Sequence, residues 1–131
     1  METSPRHQAR ERALSLMYEA ELKGEAPSVI LEALMVPPDP YTVALLQLVE
    51  DRKAEIDQLI DAAAIGWDLD RMAVVDRNVL RLAVAELLGS AEVPTAVILN
   101  EAVELASGYS TDDSGRFVNG VLSTLAGRIR D

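Results

Sequence analysis

The sequence offers few side chains for catalysis. His7 is the single histidine and the chain has no cysteine, so neither a histidine-based triad nor a zinc cluster of Cys and His can be assembled. No glycine-rich loop of the kind that cradles phosphates is present. Asp112, Asp113 and Ser114 could suggest a magnesium site, but capping and the helix dipole explain two acids at a helix start better. The sequence therefore predicts no catalytic residue, no metal ligand and no cofactor, and it favours a binding protein over an enzyme.

Side chains suited to nucleic acid are concentrated near the N-terminus. Arg6, Arg10 and Arg12, with His7 among them, place several cationic groups within seven residues. Contacts to phosphates supply most of the sequence-independent affinity of proteins for nucleic acids. Tyr18 follows in the same segment, and an aromatic ring near arginines suits single-stranded RNA, whose unstacked bases lie on such rings. The pattern indicates an RNA-binding surface at this end of the chain.

The charge of the whole chain argues against strong RNA binding by this chain alone. Its 131 residues carry a formal net charge of −10, and residues 25–61 contain eight acidic residues against two basic ones. A protein that binds RNA by itself is usually basic. Because complementary charge steers association between proteins, the acidic surface predicts a basic protein partner.

The first helix is predicted from Pro5 to about Lys23, with Gly24 as its stop. At about 100° per residue, one apolar arc faces the core and consists of Ala9, Ala13, Leu16, Met17 and Ala20. A second arc on nearly the opposite side consists of Leu14, Tyr18 and Leu22. Two interpretations of the second arc remain open: it is covered by other helices of the same chain, or it is an exposed strip that binds a partner.

Helical signals continue through the middle of the chain. An apolar segment at residues 28–36 ends at two prolines, and Asp39 is predicted to cap a helix that begins at Pro40. Apolar residues then recur at helical spacing up to Gly66. Residues 74–88 are apolar on most sides, which is typical of a helix in the centre of a bundle.

Two further helices complete the prediction. Pro94 starts one, and residues 110–113 resemble a capping box that starts the last. Gly120 lies inside this last helix, where we expect another helix to approach closely and compensate for the glycine. Phe117, the only phenylalanine, is either a core residue or a stacking residue for RNA. The sequence predicts an all-α fold.

The location predicted for the protein is the cytoplasm. No apolar run approaches the roughly 18 residues needed to cross a bilayer. The first residues are polar and lead into a charged helix, unlike a signal peptide. The absence of cysteine fits a reducing compartment.

Six collinear segments together resemble a known family. They are RHQARERA at residues 6–13, DRNVLR at 76–81, VP at 93–94, NEAVELA at 100–106, DS at 113–114 and FVNGVL at 117–122. In order and type they resemble the NusB family of transcription antitermination proteins, and the resemblance covers nearly the whole chain. It implies a helical bundle of about seven helices in two subdomains, about residues 5–66 and 67–131.

The resemblance also implies a function. Proteins of this family bind the boxA element of RNA from ribosomal RNA operons together with NusE, a small-subunit ribosomal protein, and act with other Nus factors on RNA polymerase. Carried over by position, the implied contact residues are Arg6, His7, Gln8, Arg10, Tyr18, Asp76, Asp113 and Phe117. His7 and Gln8 stand where the family often has arginine, which predicts weaker RNA binding by this chain alone. No metal or catalysis is implied, and homodimers occur in part of the family.

Two alternatives belong to other functional classes. Similar helical domains accompany ribosomal RNA methyltransferases, where they dock an enzyme on RNA. A second alternative is a bundle that keeps the fold and binds only proteins. Reversing the charge of Arg6 and Arg10 would separate this second alternative from RNA binding, because a module that binds only proteins loses no RNA affinity.

Overall fold

The computed structural model describes residues 4–130, which form seven α-helices and no β-strand. The helices are α1 Pro5–Lys23, α2 Pro27–Glu32, α3 Pro40–Asp51, α4 Lys53–Ala63, α5 Val74–Gly89, α6 Thr95–Tyr109 and α7 Asp112–Ile129, with a 3-10 turn at Leu69–Arg71 before α5. Over the residues described, none of these helices has the length and apolarity that crossing a membrane requires. The all-α prediction is confirmed.

Local capping chemistry fixes where α1 and α3 begin. The Ser4 side chain accepts a hydrogen bond from the His7 backbone N–H at 3.1 Å, and Pro5 occupies the first turn of α1. Gly24 ends α1 in the left-handed region with φ of 65°, which a glycine adopts without steric cost. Asp39 caps α3 by accepting from the Tyr41 N–H at 2.8 Å. The predicted boundaries of α1 and the predicted start of α3 are confirmed.

The apolar run predicted to continue to Gly66 is divided into two helices at Arg52. This residue has φ of −115° and ψ of 25°, outside the helical region, and its guanidinium binds Glu55 at 2.7 Å. Helix α3 packs against α1 and α5, whereas α4 packs against α5 and α7. The break lets consecutive apolar residues cover two different faces of the core.

Helix α5 is the centre of the bundle, as its apolar sequence predicts. It contacts α1, α3, α4, α6 and α7, and Val79, Leu80 and Val84 are fully buried. Buried side chains from all seven helices form one continuous hydrophobic core. Since this core is shared by both halves of the chain, the division into two subdomains near residue 66 stays a prediction.

Two features of α7 differ from prediction. Thr111, rather than Ser110, caps the helix by accepting from the Ser114 N–H at 3.1 Å. The expected close approach at Gly120 is wrong, because a Cβ added there would meet no atom within 4 Å. The close approach occurs at Gly115, where an added Cβ would collide with the Ser107 side chain of α6. The glycine that allows α6 and α7 to approach closely is therefore Gly115, five residues before the predicted position.

Candidate nucleic-acid interface

The first two turns of α1 present two arginines to solvent. Arg6 and Arg12 are both exposed, and Gln8 beside them is also exposed. The Arg6 guanidinium lies over the Tyr41 ring at 3.9 Å from its centroid and 3.9 Å from a carboxylate oxygen of Glu92. The cation–π contact orients Arg6 without removing it from water. These two arginines are the positions in the predicted basic cluster that can reach phosphates.

Arg10 does not belong to that exposed surface. Only 3% of it is accessible, and its Nε lies 2.9 Å and 3.0 Å from the two carboxylate oxygens of Glu86 on α5. The expectation that Arg10 contacts phosphates is wrong for this structure, because its guanidinium is already satisfied inside the bundle. Burial lowers the pKa of Arg10, but the hydrogen bonds and charge of Glu86 outweigh it, so the pKa is raised and the pair stays ionised.

His7 is also turned toward carboxylates rather than toward solvent. Its Nδ1 lies 2.5 Å from Glu101 of α6, and its Nε2 lies 3.7 Å from Glu11 on its own helix. The hydrogen bond to Glu101 raises the pKa of His7 against an opposing effect of burial, and the charges of Glu101, Glu11 and Glu104 raise it further. The predicted contact of His7 with RNA stays a prediction, and the structure surrounds this imidazole with acids.

The proposed partner strip on α1 is shorter than predicted. Leu14 is 5% exposed and lies in the core, because α1 is packed between α2, α3 and α5. Leu14 is therefore wrong as an exposed contact, and at this point the helix is covered by its own chain. Tyr18 and Leu22, one turn apart, are 40% and 67% exposed. The accessible part of the strip consists of these two side chains.

A second constellation lies where α5 and α7 begin. Asp76, in the first turn of α5, and Asp113 and Phe117, in the first two turns of α7, line one open cavity of about 290 Å³. The resemblance had named these residues separately, and the fold brings all three together. Trp67 completes the wall, with its ring centroid 5.8 Å from that of Phe117 and an interplanar angle of 67°.

Asp76 has an unusual environment in this cavity. It is 9% exposed, and its Oδ1 is buried without a hydrogen-bond donor anywhere in residues 4–130. A buried acceptor without a partner is costly, and such groups normally find one. Asp113, by contrast, is exposed and paired with Arg116. The cavity thus combines one acceptor that needs a donor with two partly exposed aromatic rings.

Trp67 was missed as a site residue from the sequence. It lies in the loop between α4 and the 3-10 turn, and it is 53% exposed. The only sequence signal was that it is the sole tryptophan of the chain. A loop position gives no periodicity from which a contact with Phe117, fifty residues later, could be inferred.

Comparison with known proteins identifies the family. The NusB family model matches residues 7–127, which include α1 from His7 onward and the cavity. This chain belongs to the NusB family. A NusB relative from Thermobifida fusca, named transcription antitermination protein, is 46% identical over 124 residues, covering 92% of this chain and 87% of the relative. A relative from Acidothermus cellulolyticus, with the same name, is 48% identical over 124 residues, which cover 92% of this chain and 86% of the relative.

Solved NusB structures share the fold. NusB of T. maritima superposes with a TM-score of 0.85 at 33% identity, over 96% of this chain and 93% of the other. A second similar structure is a crystal structure of the antitermination factors NusB and NusE in complex with double-stranded RNA. Its matching chain gives a TM-score of 0.79 at 29% identity, over 95% of this chain and 99% of the other. The similarity therefore extends over the complete bundle, including the junction of α5 and α7.

Proposed function

We propose that this protein is a transcription antitermination factor that binds boxA RNA of ribosomal RNA operons together with NusE. The NusB relatives carry the antitermination name, and a NusB of the same fold was crystallised with NusE and RNA. In this proposal the complex acts with other Nus factors on RNA polymerase in the cytoplasm. The protein contributes binding and positioning, and no catalytic step is assigned to it.

The observation that carries the proposal is the cavity of Trp67, Asp76, Asp113 and Phe117. Its unpaired Asp76 Oδ1 requires a donor, and the amino and imino groups of unstacked bases or the N–H groups of a partner protein supply donors. Trp67 and Phe117 offer ring faces and edges on which a base can stack. The Asp76 carboxylate, which lacks a donor and lies beside aromatic rings, favours base edges over phosphates, which it repels.

Electrostatics support a requirement for NusE. With Arg10 paired inside the core, Arg6 and Arg12 are the cations of the α1 cluster that remain for phosphates, against a net charge of −10. Two phosphate contacts give little affinity at physiological salt. A basic ribosomal protein bound to this acidic chain would supply the missing positive field.

Tyr18 and Leu22 are the part of α1 that we assign to NusE. They lie one turn apart and expose an aromatic and an aliphatic side chain, and aromatic residues are enriched in the centres of protein interfaces. Leu14 supports this strip from the core rather than contacting the partner. A second copy of this chain is the other candidate occupant, and solution mass measured with and without NusE distinguishes the two.

The test is a mobility-shift titration with boxA RNA and a scrambled RNA of the same length. We expect weak binding by this chain alone, much tighter binding to boxA with NusE present, and a loss of that gain in Asp76→Ala, which removes the acceptor. Tight binding that ignores sequence and NusE would overturn the proposal. In a further variant, the charges of Arg6 and Arg12 are reversed. If this variant binds RNA as tightly as wild type, the protein is instead a module that binds only proteins.

A further inference from the structure

Three potential metal ligands meet where α1 faces α6. His7 Nδ1 lies 2.5 Å from Oε2 of Glu101 and 3.8 Å from Oε2 of Glu104. These three ligand atoms lie within 4.8 Å of one another. Glu101 and Glu104 are three residues apart on α6, so they share one face of that helix. The sequence separates His7 from the two acids by more than ninety residues, and the fold brings them together.

We propose that His7, Glu101 and Glu104 form a binding site for one divalent transition-metal ion, with Zn²⁺ as the best fit. Imidazole nitrogen and carboxylate oxygen are both ordinary zinc ligands at about 2.0–2.2 Å, which places tetrahedral ligand atoms about 3.4 Å apart. The spacing from His7 to Glu104 is already close to this value. Binding requires Glu101 to withdraw slightly from His7, and Glu104 is exposed and can move inward.

Further polar groups lie next to the ligands, as they do in many metal sites. When Nδ1 of His7 binds a metal, its Nε2 carries the proton, and that atom lies 3.7 Å from a carboxylate oxygen of Glu11. Tyr109 holds Glu11 by donating a hydrogen bond at 2.9 Å. At 3.7 Å the contact between His7 and Glu11 is an ionic contact and not a hydrogen bond, and a small movement of Glu11 would give the carboxylate–histidine pair that commonly orients metal-bound histidines.

The second ligand is oriented as well. The other oxygen of Glu101 lies 3.7 Å from Nη1 of Arg10, which leaves the Oε2 atom directed toward His7. Arg10 does not repel a cation strongly, because Glu86 already neutralises it. The separation of 3.7 Å is too long for a hydrogen bond, so Arg10 acts on Glu101 through its charge.

Local charge also favours a cation. Three carboxylates, those of Glu11, Glu101 and Glu104, surround one imidazole. A bound divalent ion would reduce this negative charge next to Arg6 and would link α1 to α6. The inference goes beyond the proposed function and does not depend on it, since the ion is measured on this chain without RNA or NusE.

The experiment is calorimetric titration of the chain, free of any affinity tag, with Zn²⁺ at about pH 8, because the raised pKa of His7 calls for a pH well above the ordinary histidine value of about 6.5. Because the chain has one histidine, the imidazole signals in NMR spectra report on His7 alone. We expect one ion per chain and a shift of those signals at the same zinc concentration. His7→Arg and Glu104→Gln should each weaken binding by at least about tenfold.

Glu55→Gln is the matched control, because it removes one exposed carboxylate on α4, outside the cluster. It should bind Zn²⁺ as the wild type does. Mg²⁺, which prefers oxygen ligands, should leave the imidazole signals unchanged. The proposal is overturned if those signals do not respond to Zn²⁺, or if His7→Arg, shown to be folded by circular dichroism, binds the ion as tightly as wild type.

Discussion

Arg10 and Glu86 form a bidentate ion pair inside the bundle that fixes α1 to α5. Both side chains are almost completely buried, and the Tyr41 hydroxyl donates a further hydrogen bond to Glu86 at 2.7 Å. The same Tyr41 ring lies under exposed Arg6. The buried pair thus positions the helix end from which Arg6 and Arg12 project, so one arginine of the motif is structural and its neighbours are available for binding.

Removing one partner of this pair should destabilise the protein strongly. Arg10→Ala leaves the Glu86 carboxylate buried without its cation, which typically costs about 3–5 kcal/mol. The free energy of unfolding is measured in urea at neutral pH. Arg12→Ala, which truncates an exposed arginine two residues away, should change it by less than about 0.5 kcal/mol. If Arg10→Ala lowers the free energy of unfolding as little as Arg12→Ala does, the buried pair does not stabilise the fold.

Most helix boundaries could be predicted because they depend on adjacent residues. Ser4, Gly24 and Asp39 cap helices through groups two to four residues away, which the sequence displays directly. The break at Arg52 could not be predicted, since apolar spacing remains helical across it. What decides the break is packing of α3 and α4 on different neighbours, a property of the assembled core.

The candidate nucleic-acid interface was harder to predict than the helices, because the residues in contact there are far apart in the sequence. Arg10 and Glu86 are 76 residues apart, and nothing local distinguishes a buried arginine from an exposed one at the start of a helix. Asp76, Asp113 and Phe117 were named by resemblance, while their common cavity is a consequence of how α5 and α7 pack. Trp67 carried no periodic or motif signal at all.

Trp67 should report occupancy of the cavity directly. As the sole tryptophan, it gives one fluorine NMR signal when this chain alone is labelled with fluorotryptophan. We expect that signal to shift when boxA RNA and NusE bind. Phe117→Ala should weaken the complex by about 1–3 kcal/mol through lost stacking, whereas Ile65→Ala, at an exposed loop position outside the cavity, should not. An unchanged signal at saturation would exclude the cavity from the interface.

Arg12 should contribute a simple phosphate contact. Arg12→Ala is expected to weaken the complex with NusE and boxA RNA and to reduce the slope of log K against log salt by about 0.7–0.9, the effect of one phosphate contact. Lys53→Ala removes an exposed cation near the opposite end of α1. It should leave the affinity and the salt slope unchanged. Equal salt slopes for wild type and Arg12→Ala would rule out that contact.

Acid should destabilise the protein partly through Glu21. Hydrogen bonds from Arg77 hold the pKa of Glu21 below its usual value against an opposing effect of burial, with help from the charges of Arg77 and Arg81. The stabilisation is complete above the unfolded pKa, about 4.3, and is lost as pH falls through the folded pKa. Glu21→Gln should therefore be less stable at neutral pH and lose less stability on acidification. Glu19→Gln, an exposed control on α1, should keep the wild-type slope.

Two glycine substitutions should change stability in opposite directions. Gly120 lies in the exposed interior of α7 with open space around it, so Gly120→Ala should raise the free energy of unfolding by about 0.5–1 kcal/mol. Gly24 ends α1 at φ of 65°, where an added Cβ is strained, so Gly24→Ala should lower it by about 1–2 kcal/mol. Both are measured by urea denaturation. A Gly120→Ala variant that is less stable than wild type would contradict the open space that the structure places around this glycine.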